Sequence, residues 1–350
     1  MVHVPDWSGN SEPRRLTVQA VLVKEFGAPD VLELQEIPAP EPGPGQVLVD
    51  VAAADVMFLD TRLRSGWGTD FFPVRPPYIP GGAIGGTVRA AGSGVDTAWL
   101  GHRVATCTAT SGIGGGLPVG GYAEQALAAA GTLTEIPDGV SLDQATALVH
   151  DGHTALAVFD RAAVRPGDPV LITAAAGGLG TLLIQLARQA GAQVIAAARG
   201  TTKLALTERL GAHTAIDYSE PGWTDRVLAA TAGRAPHVVL DGAGGHLGDA
   251  ALAITAGGGR FIGYGAAAGE FAGSASADAR QRGVEVIGLH DLNNTGDDDR
   301  AAHAARILDA VATGAIEVVI GQAYPLAEAA RSHAAIEART ALGRTLLRIG

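Results

Sequence analysis

Between residues 17 and 149 the apolar positions fall in short runs broken by proline and glycine: Val18–Val23, Val31–Ile37, Gln46–Val51, Gly86–Ala91, Arg103–Thr106 and Tyr122–Ala126. Runs of that length between turn residues such as Glu41-Pro-Gly-Pro-Gly45 predict β-strands, and together a β-rich, partly open barrel. From about residue 149 the period changes. Apolar runs at Val170–Ala174, Val194–Ala198, Thr214–Asp217, His237–Asp241, Arg260–Tyr264 and Val284–Gly288 alternate with helix-patterned stretches. That alternation predicts an α/β unit, a doubly wound parallel sheet of six strands. Beyond Leu289 the pattern predicts a helix over Asp298–Thr313, a strand over Glu317–Ile320, a helix over Leu326–Arg339 and a closing strand over Arg344–Ile349. With the parallel sheet already complete, this tail is expected to return to the front half. The expected division is therefore a flexible leader over 1–16, a first domain from 17–148 with 290–350, and a second over 149–289. Ser111–Gly121, with six glycines, reads as a mobile loop.

The apolar run Pro169-Val-Leu-Ile-Thr-Ala174 leads into Ala175-Ala176-Gly177-Gly178-Leu179-Gly180, then into the helical stretch Thr181–Ala190. A buried strand, a glycine turn and a helix leave unpaired N–H groups at the helix start, where a pyrophosphate can sit. Taken alone, such a turn also serves close packing. The discriminating position is the tip of the next strand, where an acid holds the ribose 2′-hydroxyl of NAD and a base accepts the 2′-phosphate of NADP. Here Ala196-Ala197-Ala198-Arg199-Gly200 offers Arg199 and no acid. Lys203, one of two lysines in the chain, falls in the first turn of the following helix, where the dipole disfavours a cation unless an anion neutralises it. Both features point to NADPH, although Lys203 by itself also fits an ordinary solvated lysine.

The chain has 350 residues, 47% of them hydrophobic and 17% charged, enough for two cored domains. A formal charge of −11 argues against a nucleic-acid or anionic-membrane surface, so any anion must be bound locally. A single cysteine, Cys107, excludes an internal disulfide. The start Met1-Val-His-Val-Pro-Asp lacks a secretion pattern, and no apolar stretch reaches the ~18 residues of a spanning helix, so a cytoplasmic location is expected.

Several stretches in order and spacing carry a resemblance: Asp55-Val-Met-Phe-Leu-Asp-Thr-Arg-Leu-Arg-Ser-Gly66, Pro80-Gly-Gly-Ala-Ile-Gly-Gly86, Leu100-Gly-His-Arg-Val104, Pro166–Gly180 and Glu337-Ala-Arg-Thr-Ala-Leu-Gly343. Nearly everything after residue 17 resembles the medium-chain dehydrogenase/reductase superfamily, and within it the zinc-free quinone oxidoreductase branch. The resemblance implies a GroES-like catalytic domain, a Rossmann domain and a homodimer formed through the sheet edge near Val284–Gly288. It implies reduction of quinones or α,β-unsaturated carbonyls by hydride from NADPH. Matching positions put Gly177, Gly178, Leu179 and Gly180 at the pyrophosphate, and Arg199, Lys203 and Tyr218 around the adenosine phosphate. Thr154, Ala243 and Gly265 would lie near the nicotinamide ribose, with Arg339 reaching back from the tail.

Many relatives bind catalytic zinc through a cysteine and a Gly-His-Glu stretch. That stretch reads Gly81-Gly82-Ala83 here, and Asp55 or Val56 stands at the cysteine's place. Glycine and alanine side chains supply no ligand, so no metal is expected. Without a Lewis acid, a carbonyl must be polarised by hydrogen bonds and the enolate protonated by a side chain or water. A tyrosine and an asparagine found in related reductases are replaced near Gly68 and by Met57, which keeps open a non-redox enzyme, such as a cyclase, or a ligand-binding protein on the same fold. The remaining catalytic candidates are Asp60, Arg62, His150 and Asp151, the last two placed by family position beside the nicotinamide. Their plainer readings are a structural acceptor for Asp60, a packed histidine for His150, and a helix N-cap for Asp151 or Thr154. Tyr78 and Trp67 are candidates for a substrate wall.

Overall fold

The computed structural model describes residues 16–70, 72–108, 119–273, 277–292 and 297–350. Residues 1–15 of the expected leader and most of the expected Ser111–Gly121 loop lie outside the described residues.

Strands β1 (Thr17–Val23) and β2 (Leu32–Pro38) pair antiparallel. Strand β3 (Gln46–Val56) is the spine of the front sheet and is followed at once by α1 (Phe58–Arg64). Strands β4 (Ala83–Ala91), β5 (Arg103–Cys107), β6 (Gln125–Ala129) and β7 (Thr134–Glu135) complete the front half. β3 pairs antiparallel with both β4 and β6, which curls the sheet towards a barrel. Helix α2 (Leu142–Ala162) starts at Ser141, whose hydroxyl accepts from Gln144 N at 3.2 Å while the Gln144 side chain accepts from Ser141 N at 2.9 Å. This reciprocal cap satisfies two helix-start donors.

The second half contains β8 (Pro169–Thr173), α3 (Gly178–Gln189), β9 (Gln193–Ala198), α4 (Thr201–Arg209), β10 (Thr214–Asp217) and α5 (Trp223–Ala230). It continues through β11 (Val238–Asp241), α6 (Gly245–Ala253), β12 (Arg260–Gly263), α7 (Ala277–Gln281), β13 (Glu285–Ile287) and α8 (Leu289–Leu292). The six strands are parallel, in the order β10-β9-β8-β11-β12-β13. Every residue of β8 is buried, as a strand covered by helices on both faces requires. The order reverses between β8 and β11, so the crevice of this sheet opens at their carboxyl ends.

The tail supplies α9 (Asp297–Ala312), β14 (Ile320–Pro325), α10 (Ala329–Glu337) and β15 (Arg344–Arg348). β15 pairs antiparallel with β3, and β14 lies parallel outside it, so the tail returns to the front sheet. Helix α9 instead packs on α2, and its Ile307, Leu308 and Val311 join the core of the parallel sheet.

Two expected strands are displaced. The strand read at Tyr122–Ala126 runs from Gln125 to Ala129, because Tyr122 is taken into a turn by its N–H bond to Pro80 O at 2.9 Å. The strand read at Glu317–Ile320 begins only at Ile320. Glu317 is held elsewhere, its carboxylate bidentate on Arg209 at 2.7 and 2.9 Å and its N–H on Gln185 at 2.8 Å.

Candidate functional site: a crevice where two sheets meet

After β8 the chain turns through Ala174, at φ +49°, and Gly177, the N-cap of α3, has no side chain to satisfy the helix-start N–H groups. The glycines differ in what holds them. A Cβ on Gly180 would lie 2.7 Å from Ala175 O, and one on Gly178 only 2.2 Å from both Asp151 Oδ2 and Arg344 Cδ. Gly178 and Gly180 thus serve close packing, while Gly177 opens onto the crevice with only Ala174 O, at 3.3 Å, near its missing Cβ. Leu179 packs against the core beneath.

At the reversal point the ends of β8 and β11 are tied together. Thr173 Oγ1 donates to Asp241 Oδ1 at 2.5 Å and accepts from Gly242 N and Ala243 N at 3.1 Å each. The buried Asp241 carboxylate also accepts from Gly244 N at 3.2 Å, and burial pushes its pKa up. Gly265 N donates to Asp241 O at 3.2 Å, and a Cβ on Gly265 would stand 2.7 Å from Gly242 O. Ala243 and Gly265 therefore belong to two loops folded directly on each other at the rim of the crevice.

On the other rim Arg199, Lys203, Tyr218 and Arg339 come together. Lys203 Nζ donates to the carbonyl of Arg339 at 2.8 Å, and Arg339 takes a left-handed backbone with φ +59°. The Arg339 guanidinium donates to Ala267 O and lies 4.9 Å from the Phe58 ring centroid, linking the tail to the loop after β12 and to α1. Burial lowers the pKa of Lys203, and the charges of Arg339 and Arg199 lower it further. Burial also lowers that of Arg339, with Arg199 and Arg62 acting the same way. Tyr218 feels the charges of both Arg199 and Arg339 and lies edge-on to Trp223, the ring centroids 6.4 Å apart. The acid at this rim, Asp217, accepts from Gly200 N at 2.8 Å and Ser219 N at 2.9 Å, which keeps its pKa low.

Asp151 and Thr154 are not N-caps. Both sit in the middle of α2, whose cap is Ser141, and Thr154 Oγ1 donates back to His150 O at 2.7 Å. Asp151 accepts from Arg344 Nη1 at 3.0 Å, and burial pushes its carboxyl up to about 7. Burial brings His150 down to about 4, with His153 adding to the shift, and its Nε2 has no partner. His150 is therefore neutral near pH 7.

Asp60 and Arg62 point away from each other on α1. Asp60 is buried under Tyr122, whose hydroxyl donates to Asp60 Oδ2 at 3.2 Å, and it caps α1 by accepting from Met57 N at 2.8 Å. Burial pushes Asp60 up to about 7. This is the structural-acceptor reading. Arg62 stacks 4.9 Å over the exposed Trp67 ring, on the side of Arg339. Tyr78 lines a separate apolar cavity of about 480 Å³ between Leu22, Ile37, Val74 and Leu127. The partners of Asp151, namely Arg344 and through it Asp55, had no signal beyond an acid placed in the apolar run Val51–Val56.

A doubly wound parallel sheet joined to a curled β-sheet, with the crevice at their junction, defines a two-domain, dinucleotide-dependent dehydrogenase/reductase. Comparisons agree: residues 43–138 match the alcohol dehydrogenase GroES-like domain and residues 178–297 the zinc-binding dehydrogenase model. A quinone oxidoreductase of Pseudomonas aeruginosa is 33% identical over 92% of this chain and 97% of its own. A 2-haloacrylate reductase of a Burkholderia species is 31% identical over 94% and 98%. A mycobacterial protein solved in complex with NADPH superposes with a TM-score of 0.82 at 32% identity, over 94% of this chain and 99% of that one. The chain belongs to the medium-chain dehydrogenase/reductase superfamily, in its quinone oxidoreductase-like branch.

Proposed function

We propose that this NADPH-dependent oxidoreductase reduces quinones and α,β-unsaturated carbonyl compounds, and that it does so without a metal. The observation that carries the cofactor reading is the gathering of Arg199, Lys203 and Arg339 at one rim, two of them beside Tyr218. Arg199 and Arg339 make the charge of Lys203 more costly, Arg199 does the same to Arg339, and a phosphate dianion placed among them would offset that cost. A relative solved with NADPH supports the same reading. The pyrophosphate would lie at Gly177–Gly180 on the start of α3, and Thr154, Ala243 and Gly265 would flank the nicotinamide ribose. Bound there, NADPH supplies a hydride.

The relative named for 2-haloacrylate reduction supports an activated alkene as acceptor. Asp151 is the favoured proton donor, since its carboxyl holds a proton up to about pH 7 whereas His150 has lost its extra proton well below. Asp60 stands outside the chemistry as the cap of α1, and Arg62 serves the cationic rim. At Gly81, Gly82 and Ala83 no side chain offers a metal ligand, and among the described residues no three His, Cys, Asp or Glu side chains gather. We also assign the homodimer contact to β13, at one edge of the parallel sheet, whose outer side pairs with no strand among the described residues and suits pairing with a second copy.

The test is NADPH oxidation with a panel of quinones and enones, before and after dialysis against a chelator. Turnover of at least one acceptor at an undiminished rate after chelation is expected. No oxidation across the panel overturns the reading.

A further inference from the structure

Asp55 is wholly buried at the end of β3, in an otherwise apolar run. Its carboxylate is gripped by the Arg344 guanidinium, which donates through Nε to Oδ1 at 2.9 Å and through Nη2 to Oδ2. The remaining Nη1 reaches Asp151 Oδ2 at 3.0 Å. One cation therefore serves two acids from two different elements, all three side chains at most 14% exposed. If both acids were ionised, one buried negative charge would go uncompensated, which is costly, and the site avoids it when one carboxyl keeps its proton. Asp55 takes two charge-assisted bonds and Asp151 one, so the proton belongs on Asp151.

The triad sits at the glycine turn. The missing Cβ of Gly178 would lie 2.2 Å from the Asp151 carboxylate and from Arg344 Cδ. Immediately before Arg344, Gly343 N donates to Ala176 O at 2.8 Å, stitching the front sheet to the turn. On the other side Thr345 and Leu346 pair with Val56 and Asp55 of β3. Arg344 and Asp55 are thus carried by paired strands and Asp151 by the middle of α2.

We propose that Asp55 and Arg344 are positioning residues, which hold the carboxyl group of Asp151 on the first turn of α3 and leave it as the one acid of the triad free to give and take a proton. The inference rests on the reading that NADPH binds with its pyrophosphate on this turn and its nicotinamide beside Thr154, three residues on from Asp151 in α2. In the step it would serve, bound NADPH would supply the hydride that forms a C–H bond at the β carbon, leaving NADP⁺, while the alkene π pair would move onto the carbonyl. The resulting enolate takes the proton of Asp151, whose carboxylate recovers one from water. The groups facing Asp151 are Arg344 from β15, Asp55 behind it from β3 and Tyr264 from the loop after β12, while His150 precedes it on α2. Tyr264 and His150 are neutral near pH 7, since burial raises the first and lowers the second. Burial brings Asp151 up to about 7, with the Arg344 guanidinium 3.0 Å from its carboxylate.

The discriminating variant is Asp55→Asn, nearly isosteric, which leaves the whole guanidinium charge to Asp151 and should make it ionise at lower pH. Carboxyl ¹³C NMR titration of the cofactor-free protein, with Asp151→Asn to assign the signal, should move down by about one pH unit, a tenfold change in proton affinity. The alkaline limb of kcat should move in the same direction, with the Kd for NADPH unchanged within about twofold. Arg344→Gln, which leaves Asp55 as an unscreened neighbour, should move both upward. If the Asp151 signal titrates at the same pH in wild type and Asp55→Asn, the proposal is overturned. A carboxyl titration that moves as stated, in a protein that oxidises NADPH with no quinone or enone, upholds the positioning and overturns the reductase reading instead.

Discussion

Gly178 joins three parts of the molecule at one atom's width. Its missing side chain is the space occupied by the Asp151 carboxylate and the Arg344 chain, so a methyl group there has to displace one of them. Gly178→Ala should cost about 1–3 kcal/mol and weaken NADPH binding at the same time. Thermal melts with and without NADPH check both effects, and an unchanged melting point would show that the turn has slack. Asp60 offers a prediction in pH. Its folded pKa, about 7, lies above the ordinary carboxylate value, so the stability it contributes is complete in acid and is lost as pH rises through 7. Asp60→Asn does not titrate, so relative to wild type it should gain stability between pH 4 and 7, by up to about 1.4 kcal/mol per pH unit. Urea unfolding at pH 5 and pH 8 measures this; an equal difference at the two pH values would place the titration elsewhere.

Among the elements, α2 links the halves. It packs on β3, β4 and β5 of the front sheet, on α3 beside the parallel sheet and on α9, and it carries His150, Asp151 and Thr154. Removing its cap with Ser141→Ala should cost about 1 kcal/mol of stability and leave kcat unchanged, because the cap lies more than two turns before Asp151. A fall in kcat with unaltered stability would contradict that separation. The same element explains an error of sequence reading. Asp151 and Thr154 look like N-caps beside Gly152, but Ser141 with Gln144 starts the helix ten residues earlier, and Gly152 is tolerated inside it because Ile307 and Leu148 crowd its missing Cβ. The strand, turn and helix of β8 and α3 were legible because period, glycine spacing and burial agree there. β6 and β14 slipped by about three residues, since Tyr122 and Glu317 were captured by partners far away in sequence.

For the whole molecule, ligand binding and folding are linked through the crevice. NADPH at about 100 times its Kd should stabilise the fold by about 2.7 kcal/mol. In the double variant Arg199→Ala, Lys203→Ala most of that gain should vanish at the same NADPH concentration, while the smaller gain from NADH should persist. Differential scanning calorimetry with each nucleotide reads this directly, and equal losses for the two would remove the phosphate assignment. The tail fastens the junction of the sheets: Arg339 ties it to α1 and to the loop after β12, and Gly343 ties it to the glycine turn.

By itself the sequence determined the two rhythms of the chain, the parallel sheet with its glycine turn, and the choice of a basic tip at Arg199, because period, turn residues and local charge act over a few neighbouring residues. Only the tertiary structure decided which distant groups share a buried charge. Asp55, Asp151 and Arg344 lie 96 and 193 residues apart along the chain, and nothing local to any of them announces the others. Their partnership arises from the pairing of β15 with β3 and the packing of α2 on the turn, where low polarity makes one guanidinium choose between two acids.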